Sequence, residues 1–256
     1  MAGMATDADV TLFLVRHGQT VWHAENRYAG SSDIALTDAG RAQAEALAAW
    51  ASTAQLTAIA VSDLSRSRQT AAPVAAATSL APVVRPGLRE QHFGVAEGRT
   101  LAEVEQQDPS AARAFREDPW GSPFPGAEQP AAAAERFLAA LDLVAADAAA
   151  ATTGAPRVLV VCHNTVLRLA LCRLLGVPGS GYRRLLAAPD NGAYTELRWA
   201  AGPARPAAHT GQAGERETAR EPETGTDQGR RSATLVRYNV PLDGAGHAAR
   251  RPVSRR

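Results

Sequence analysis

The sequence predicts an α/β fold, a three-layer α/β/α sandwich around a mostly parallel central sheet, and three observations carry that expectation. Short apolar, β-branched runs at 10–15, 57–61 and 157–162 read as buried strands, and 82–85 is a further strand candidate. Stretches with helix start and stop signals separate them, so strands and helices alternate along the chain. Several strand exits carry arginine or histidine, and in open α/β sheets ligands bind just beyond the carboxyl ends of the strands.

The first strand ends in Arg16-His17-Gly18-Gln19-Thr20, an abrupt change from apolar run to cationic turn. From His17 to Leu36 the chain is polar and rich in glycine and serine, which predicts a functional loop. Thr37 then caps a helix running to about Trp50. The second strand, Thr57 to Val61, leads through Ser62-Asp63-Leu64-Ser65-Arg66 into another helix, and the third, Pro82 to Arg85, leads through Pro86-Gly87 to Leu88-Arg89-Glu90. One or two short helices are expected over 101–117, then a loop at 118–130 carrying Pro119, Pro123, Pro125 and Pro130. A long alanine-rich helix follows at 131–151. The strand Arg157 to Cys162 runs into His163-Asn164 and a helix from Thr165 to Leu175, closed by Gly176 and Pro178.

Two last strands, 193–199 and 233–240, are expected to form a terminal hairpin. The stretch between them, 202–232, combines proline, glycine, threonine and mixed charge without a large apolar residue, and is expected to be a disordered insertion. The arginine-rich end, 245–256, reads as a mobile tail. The whole chain, 1–256, is thus expected to be a single domain with its core at about 10–200 plus the last strand.

Composition narrows the function. The net charge of +1 over 256 residues gives no global field for nucleic acid or membrane, and no run of about eighteen apolar residues appears. The N-terminus, with Asp7 and Asp9, lacks a basic segment followed by an apolar one, so a cytoplasmic protein is expected. Lysine is absent, so all 27 basic side chains are arginine. That rules out Schiff-base and P-loop lysines and favours planar, bidentate binding of phosphate or carboxylate. Cys162 and Cys172 have neither a disulfide-framework nor a zinc spacing and read as small buried apolar residues.

Arg16, His17, Arg66 and His163 follow strand ends, and Glu90 follows another. A doubly wound sheet brings such positions to one edge. Two arginines suit a dianionic phosphoryl group, and two histidines suit nucleophilic and electrostatic roles upon it. With no nucleotide-binding glycine loop and no carboxylate cluster for magnesium evident, the expectation is phosphoryl transfer through a phosphohistidine, with no metal or cofactor.

The segment Leu14-Val15-Arg16-His17-Gly18-Gln19-Thr20 resembles the signature of the histidine phosphatase superfamily, in its phosphoglycerate mutase-like branch. The resemblance extends through Trp22, Asn26 to Gly30, Asp33, Leu36-Thr37, Gly40, 62–71, Leu88 to Glu90, Phe93-Gly94, Glu97-Gly98, Pro125-Gly126, Glu128, 160–168 and 235–239. It implies a phosphoglycerate mutase-like fold, His17 as the phosphorylated nucleophile, and Arg16, Arg66 and His163 as holders of the phosphoryl oxygens. It implies Glu90 as the acid that protonates the leaving oxygen and then activates water. Thr20, His23, Asn26, Gly30 and Asn164 complete the expected substrate-binding set. Other branches of the superfamily take their acid from an aspartate directly after the second histidine, and Asn164 at that position favours Glu90.

Three positions depart from the family pattern. His23 stands where mutases often have asparagine and would either donate a hydrogen bond to phosphate or face solvent. Asp63 replaces a frequent proline and is expected to pair with an arginine of the following turn, and Ala96 replaces a frequent tryptophan. Between Glu90 and His163 the arginines Arg99, Arg113, Arg116, Arg136 and Arg157 are scattered, without the paired cationic segment of similar mutases, so the chain resembles the superfamily's phosphatases more than its mutases. The expected substrate is a small phosphorylated metabolite, with Tyr28, Trp120 and Phe124 set either against its organic part or against a neighbouring helix. Mutase-type transfer is the alternative reaction, and a non-catalytic phospholigand-binding protein the alternative class. The latter needs the arginines but not the acid. No nucleic-acid or membrane partner is expected, and homodimerisation is left open.

Overall fold

The computed structural model describes residues 9–200 and 233–242. Its strands are β1 (Val10–Arg16), β2 (Ala58–Val61), β3 (Pro82–Val84), β4 (Arg157–Cys162), β5 (Tyr194–Trp199) and β6 (Ala233–Val240), in the order β3-β2-β4-β1-β5-β6. Neighbours from β3 to β1 are parallel, and β5 and β6 complete the sheet antiparallel. Its helices are α1 (Asp38–Ala51), α2 (Ser65–Thr78), α3 (Leu101–Gln107), α4 (Pro109–Glu117), α5 (Pro130–Ala151), α6 (Asn164–Leu175) and α7 (Tyr182–Leu185).

Two-residue alternation along the inner strands creates the three layers. Val10, Leu12 and Leu14 of β1, with Val158, Val160 and Cys162 of β4, point to a core shared with α5, α6 and α7. Phe13 and Val15, with Leu159 and Val161, point the other way to α1 and α2. The strands are apolar throughout because both faces are covered. A third, smaller core of Phe93, Ala96, Val104, Ala112, Phe115 and Phe124 joins α3 and α4 to the loops at the carboxyl edge. Ala96 is fully buried there, so the absent tryptophan concerns this packing.

Most element boundaries match the sequence reading within two residues. The strand candidate at 82–85 is β3; it is exposed along its length, because it is the outermost strand and carries Pro82, a residue tolerated at sheet edges. The loop after β1 contains a turn of 3-10 helix at Val21–His23. Asp63 does not pair with an arginine of the following turn; it accepts from Arg89 Nε at 2.6 Å and from Arg89 Nη2, tying the exits of β2 and β3 together. Cys162 and Cys172 are free and buried. No described helix is long and apolar enough to cross a membrane. The expectations for 202–232 and 245–256 lie outside the described residues.

Candidate active site

Parallel register brings the two histidines together. Arg16 of β1 lies opposite Cys162 of β4, and the His17 N–H donates to the Cys162 carbonyl at 3.0 Å, so His17 and His163 leave the sheet side by side. Their ring centroids are 5.1 Å apart. His17 Nδ1 lies 2.8 Å from the Gly18 carbonyl, which can only accept; Nδ1 therefore carries the proton and Nε2 keeps its lone pair. The backbone around the ring is held from several sides. Gly18 N–H donates to Thr70 Oγ1, and Asn191 Nδ2 donates to the His17 carbonyl at 2.7 Å. A Cβ on Gly18 would stand 2.5 Å from the Gly40 carbonyl, so glycine is required where α1 meets this turn.

Arg16 donates to the Pro189 carbonyl at 2.8 Å, and its Nη2 lies 2.7 Å from His23 Nε2. Asn191 Nδ2 also approaches His23 Nε2, at 3.3 Å. On the other side of the ring, Nδ1 accepts from the Thr20 N–H at 3.0 Å and lies 2.9 Å from Thr20 Oγ1. Burial and the Arg16 charge lower the His23 pKa to about 4, while burial draws Arg16 down to about 10, still far above neutrality. His23 thus orients Arg16 at the cavity wall, a role its sequence position did not suggest.

Arg66, in the first turn of α2, is fully buried. It donates through Nη1 to the Ser32 carbonyl and through Nη2 to those of Ala29 and Gly30, each at 2.7 Å. Three of five N–H donors are thereby used; two remain, Nε–H among them, which has no partner. The 29–32 loop that supplies these carbonyls is itself gathered by Glu97, which accepts from the Ser31 and Ser32 N–H groups, Ser32 Oγ and Phe93 N–H.

Glu90 is bound to the start of α6. Its Oε2 accepts from Thr165 N–H and its Oε1 from Val166 N–H, both at 2.8 Å, and Oε1 also accepts from Gln91 N–H. The carboxylate thus fills donors that a helix N-terminus leaves open, at the positive end of the helix dipole. Arg136 braces the segment from behind, donating to the carbonyls of Gly87, Arg89 and Glu90 and pairing with Glu128. His163 precedes α6; its Nε2 is 2.9 Å from Ser62 Oγ, and its buried Nδ1 has no partner.

A cavity of about 410 Å³ opens over these groups. Of the residues expected from sequence, Arg16, His17, Thr20, His23, Asn26, Glu90 and Asn164 line it. His163 and Arg66 are not among the lining residues but lie close enough that the Arg66 charge acts on both histidines. Gly30 is absent from the lining and serves as an Arg66 acceptor. Tyr28 lines the cavity, whereas Phe124 is buried in a stack with Phe115 at 3.8 Å and Trp120 packs on Gly179. Arg168 and Arg183 also line it and were missed, since a lone arginine in a helix gives no signal of facing a site.

Burial, reinforced by the charges of Arg66 and Arg16, holds His17 well below the ordinary histidine pKa; burial, then Arg66, His17 and Arg16, does the same for His163. Both rings are neutral bases at pH 7. A histidine whose folded pKa lies below its unfolded one binds fewer protons folded than unfolded, so proton uptake favours unfolding as pH falls below about 6.5. Stability should therefore decline below that pH, by up to about 1.4 kcal/mol per pH unit for each of the two residues. Urea midpoints at pH 7.5, 6.5 and 5.5 check this, and replacing His163 by Gln should flatten the slope.

The chain was compared with known proteins. A model of the histidine phosphatase superfamily, branch 1, matches residues 12–210. A probable phosphoglycerate mutase of Erwinia tasmaniensis is 34% identical over 174 residues, covering 68% of this chain and 79% of the relative. The corresponding protein of Yersinia enterocolitica is 35% identical over the same shares. Among solved structures, a mycobacterial glucosyl-3-phosphoglycerate phosphatase complexed with VO3 is similar at a TM-score of 0.67 and 26% identity, covering 91% of this chain and 99% of its own. A putative alpha-ribazole-5'-P phosphatase of Escherichia coli is similar at a TM-score of 0.64 and 26% identity, over 74% and 90%.

Proposed function

The chain belongs to the histidine phosphatase superfamily, and from that membership and the geometry around His17 we propose that it hydrolyses a small phosphorylated metabolite through a phosphohistidine intermediate. The observation that carries this reading is the free lone pair on buried His17 Nε2, beside fixed arginine charge and facing a cavity lined by Glu90.

In the first half-reaction Nε2 attacks phosphorus, the P–N bond forms and the P–O bond to the organic group breaks. Glu90, having taken up the proton of the phosphomonoester's monoanion as the ester binds, delivers it to the departing oxygen. Arg16, the spare donors of Arg66, and the Nδ1–H of neutral His163 meet the charge on the phosphoryl oxygens, where preorganised donors typically contribute about 3–4 kcal/mol each. In the second half-reaction Glu90 takes a proton from water as it attacks phosphorus, the P–N bond breaks, and His17 returns to its neutral form. Fixed arginine charge, rather than a metal, does the electrostatic work in this scheme.

Two observations favour hydrolysis. Arg99, Arg113, Arg116, Arg136 and Arg157 do not line the cavity. They bind instead to the Val95 carbonyl, Glu117, Glu105, Glu128 and the Ala54 carbonyl. Two of the similar solved structures carry phosphatase names. Mutase-type transfer is the second reading, favoured by the relatives named as probable mutases and by the extra cations Arg168 and Arg183. The near-neutral net charge supports a reading without nucleic-acid or membrane partners.

Rapid quench with a radiolabelled aryl phosphate in EDTA is the test. The expected result is an acid-labile, alkali-stable label on the peptide containing His17, with label appearing in inorganic phosphate. Turnover without any phosphoenzyme would exclude the scheme, and label passing from 3-phosphoglycerate to its 2-isomer rather than to water would select the mutase reading.

A further inference from the structure

The cavity carries more positive charge than the groups around His17 supply. Four arginines line it, Arg16, Arg27, Arg168 and Arg183, against a single carboxylate, Glu90. Arg16 belongs to the groups around His17, and Arg27 is paired with Glu25 and Glu103. Arg168 differs from both. It is 7% exposed, its Nε has no partner, and its Nη1 reaches only the Leu186 carbonyl, at 3.4 Å. Its guanidinium lies over the Tyr182 ring, 5.1 Å from the centroid.

Among the described residues no carboxylate is within ion-pair distance of Arg168. Removing a guanidinium from water is unfavourable unless an anion and several hydrogen bonds replace the hydration, and one long bond and one ring face fall short of that. Arg183 stands at the rim on the other side, its guanidinium 4.7 Å from the Phe115 centroid and 5.4 Å from that of Tyr182. Two cations that line the cavity thus flank one tyrosine.

We propose that Arg168, with Arg183 at the rim, forms a second anion site that binds an acidic group on the organic part of the substrate, so that the enzyme selects phosphomonoesters carrying two acidic functions. The proposal rests on the phosphomonoesterase reading and adds the substrate class. A planar guanidinium fork suits a carboxylate or a second phosphate equally, and both share the chemistry required here.

Phenyl phosphate, 4-carboxyphenyl phosphate and 1,4-phenylene bisphosphate form a matched set of probes. The wild-type enzyme should prefer one of the two doubly acidic esters by at least about tenfold in kcat/KM, as expected for one charged hydrogen-bonded contact. The larger gain identifies carboxylate or phosphate. Arg168→Gln should reduce that preference at least about tenfold, chiefly through KM, and Arg168→Lys should recover part of it. Equal efficiency on all three esters by the wild type overturns the proposal while leaving the hydrolase reading intact, and needs no folded variant. An Arg168→Gln protein that loses all three activities in proportion overturns it too, in favour of a structural role. Failure of the wild type to hydrolyse any of the three is the failure of the hydrolase reading, and the proposal falls with it.

Discussion

His17→Ala is expected to lower kcat for p-nitrophenyl phosphate by at least about 10⁴-fold, the order of loss seen when a covalent nucleophile is removed. The loss should be close to complete because the remaining groups have no other atom to offer phosphorus. In the proposed scheme His163 Nδ1 carries a proton and offers no lone pair to phosphorus, and His23 Nε2 is occupied by Arg16 and Asn191. Anion binding should survive, since Arg16 is held by Pro189 and His23 and Arg66 by Ser32, Ala29 and Gly30, all without His17. The paired measurement is therefore turnover together with phosphate binding by calorimetry. Unchanged turnover would remove His17 from the chemistry; loss of both would mark it as structural.

Glu90→Gln has the second large effect, and it should depend on the substrate. Without a proton to deliver, phosphoenzyme formation should slow about 10²–10⁴-fold for alkyl phosphates, whose leaving oxygens are strongly basic, and far less for p-nitrophenyl phosphate. With that good leaving group the second half-reaction should become limiting, because Glu90 also takes the proton from water. A burst of p-nitrophenol stoichiometric with enzyme is the expected signature, and equal slowing of both substrate types would contradict the role. The variant should also be less stable. Glu90 accepts from three backbone N–H groups, and a glutamine presents its amide nitrogen to some of them. An unfilled buried N–H costs about 1–3 kcal/mol, so the urea midpoint should fall with the activity.

What the sequence made legible follows from which interactions are local. The strands of β1 and β4 were readable because both faces are buried, which leaves runs such as Arg157 to Cys162 nearly free of polar residues. The Thr37 cap was readable because its acceptor role is fulfilled three residues on, at Gly40 N–H. The placing of His17, Arg16, Glu90 and Asn164 around one cavity was anticipated from strand exits and the family resemblance together. The missing parts depend on register and on contacts between distant segments. Asp63 turned out to bind Arg89, 26 residues away, and Glu90 to fill the start of α6, 75 residues away. Arg168 sits in a helix otherwise buried and apolar around it, and nothing local marks which face meets the cavity.

Arg16 and His17 are braced from distant positions of the chain. Arg16 donates to Pro189 and the His17 carbonyl receives Asn191, contacts spanning 173 and 174 residues, and the Asp190 N–H between them donates to Asn239 of the last strand. During synthesis β1 emerges first, yet the partners that hold its exit emerge only after every other helix of the sandwich. Contacts of such sequence separation are slow to form and close late. A nascent or truncated chain ending before Pro189 would carry Arg16 and His17 without those braces, so the site is completed at the close of folding rather than with the appearance of the residues that line it.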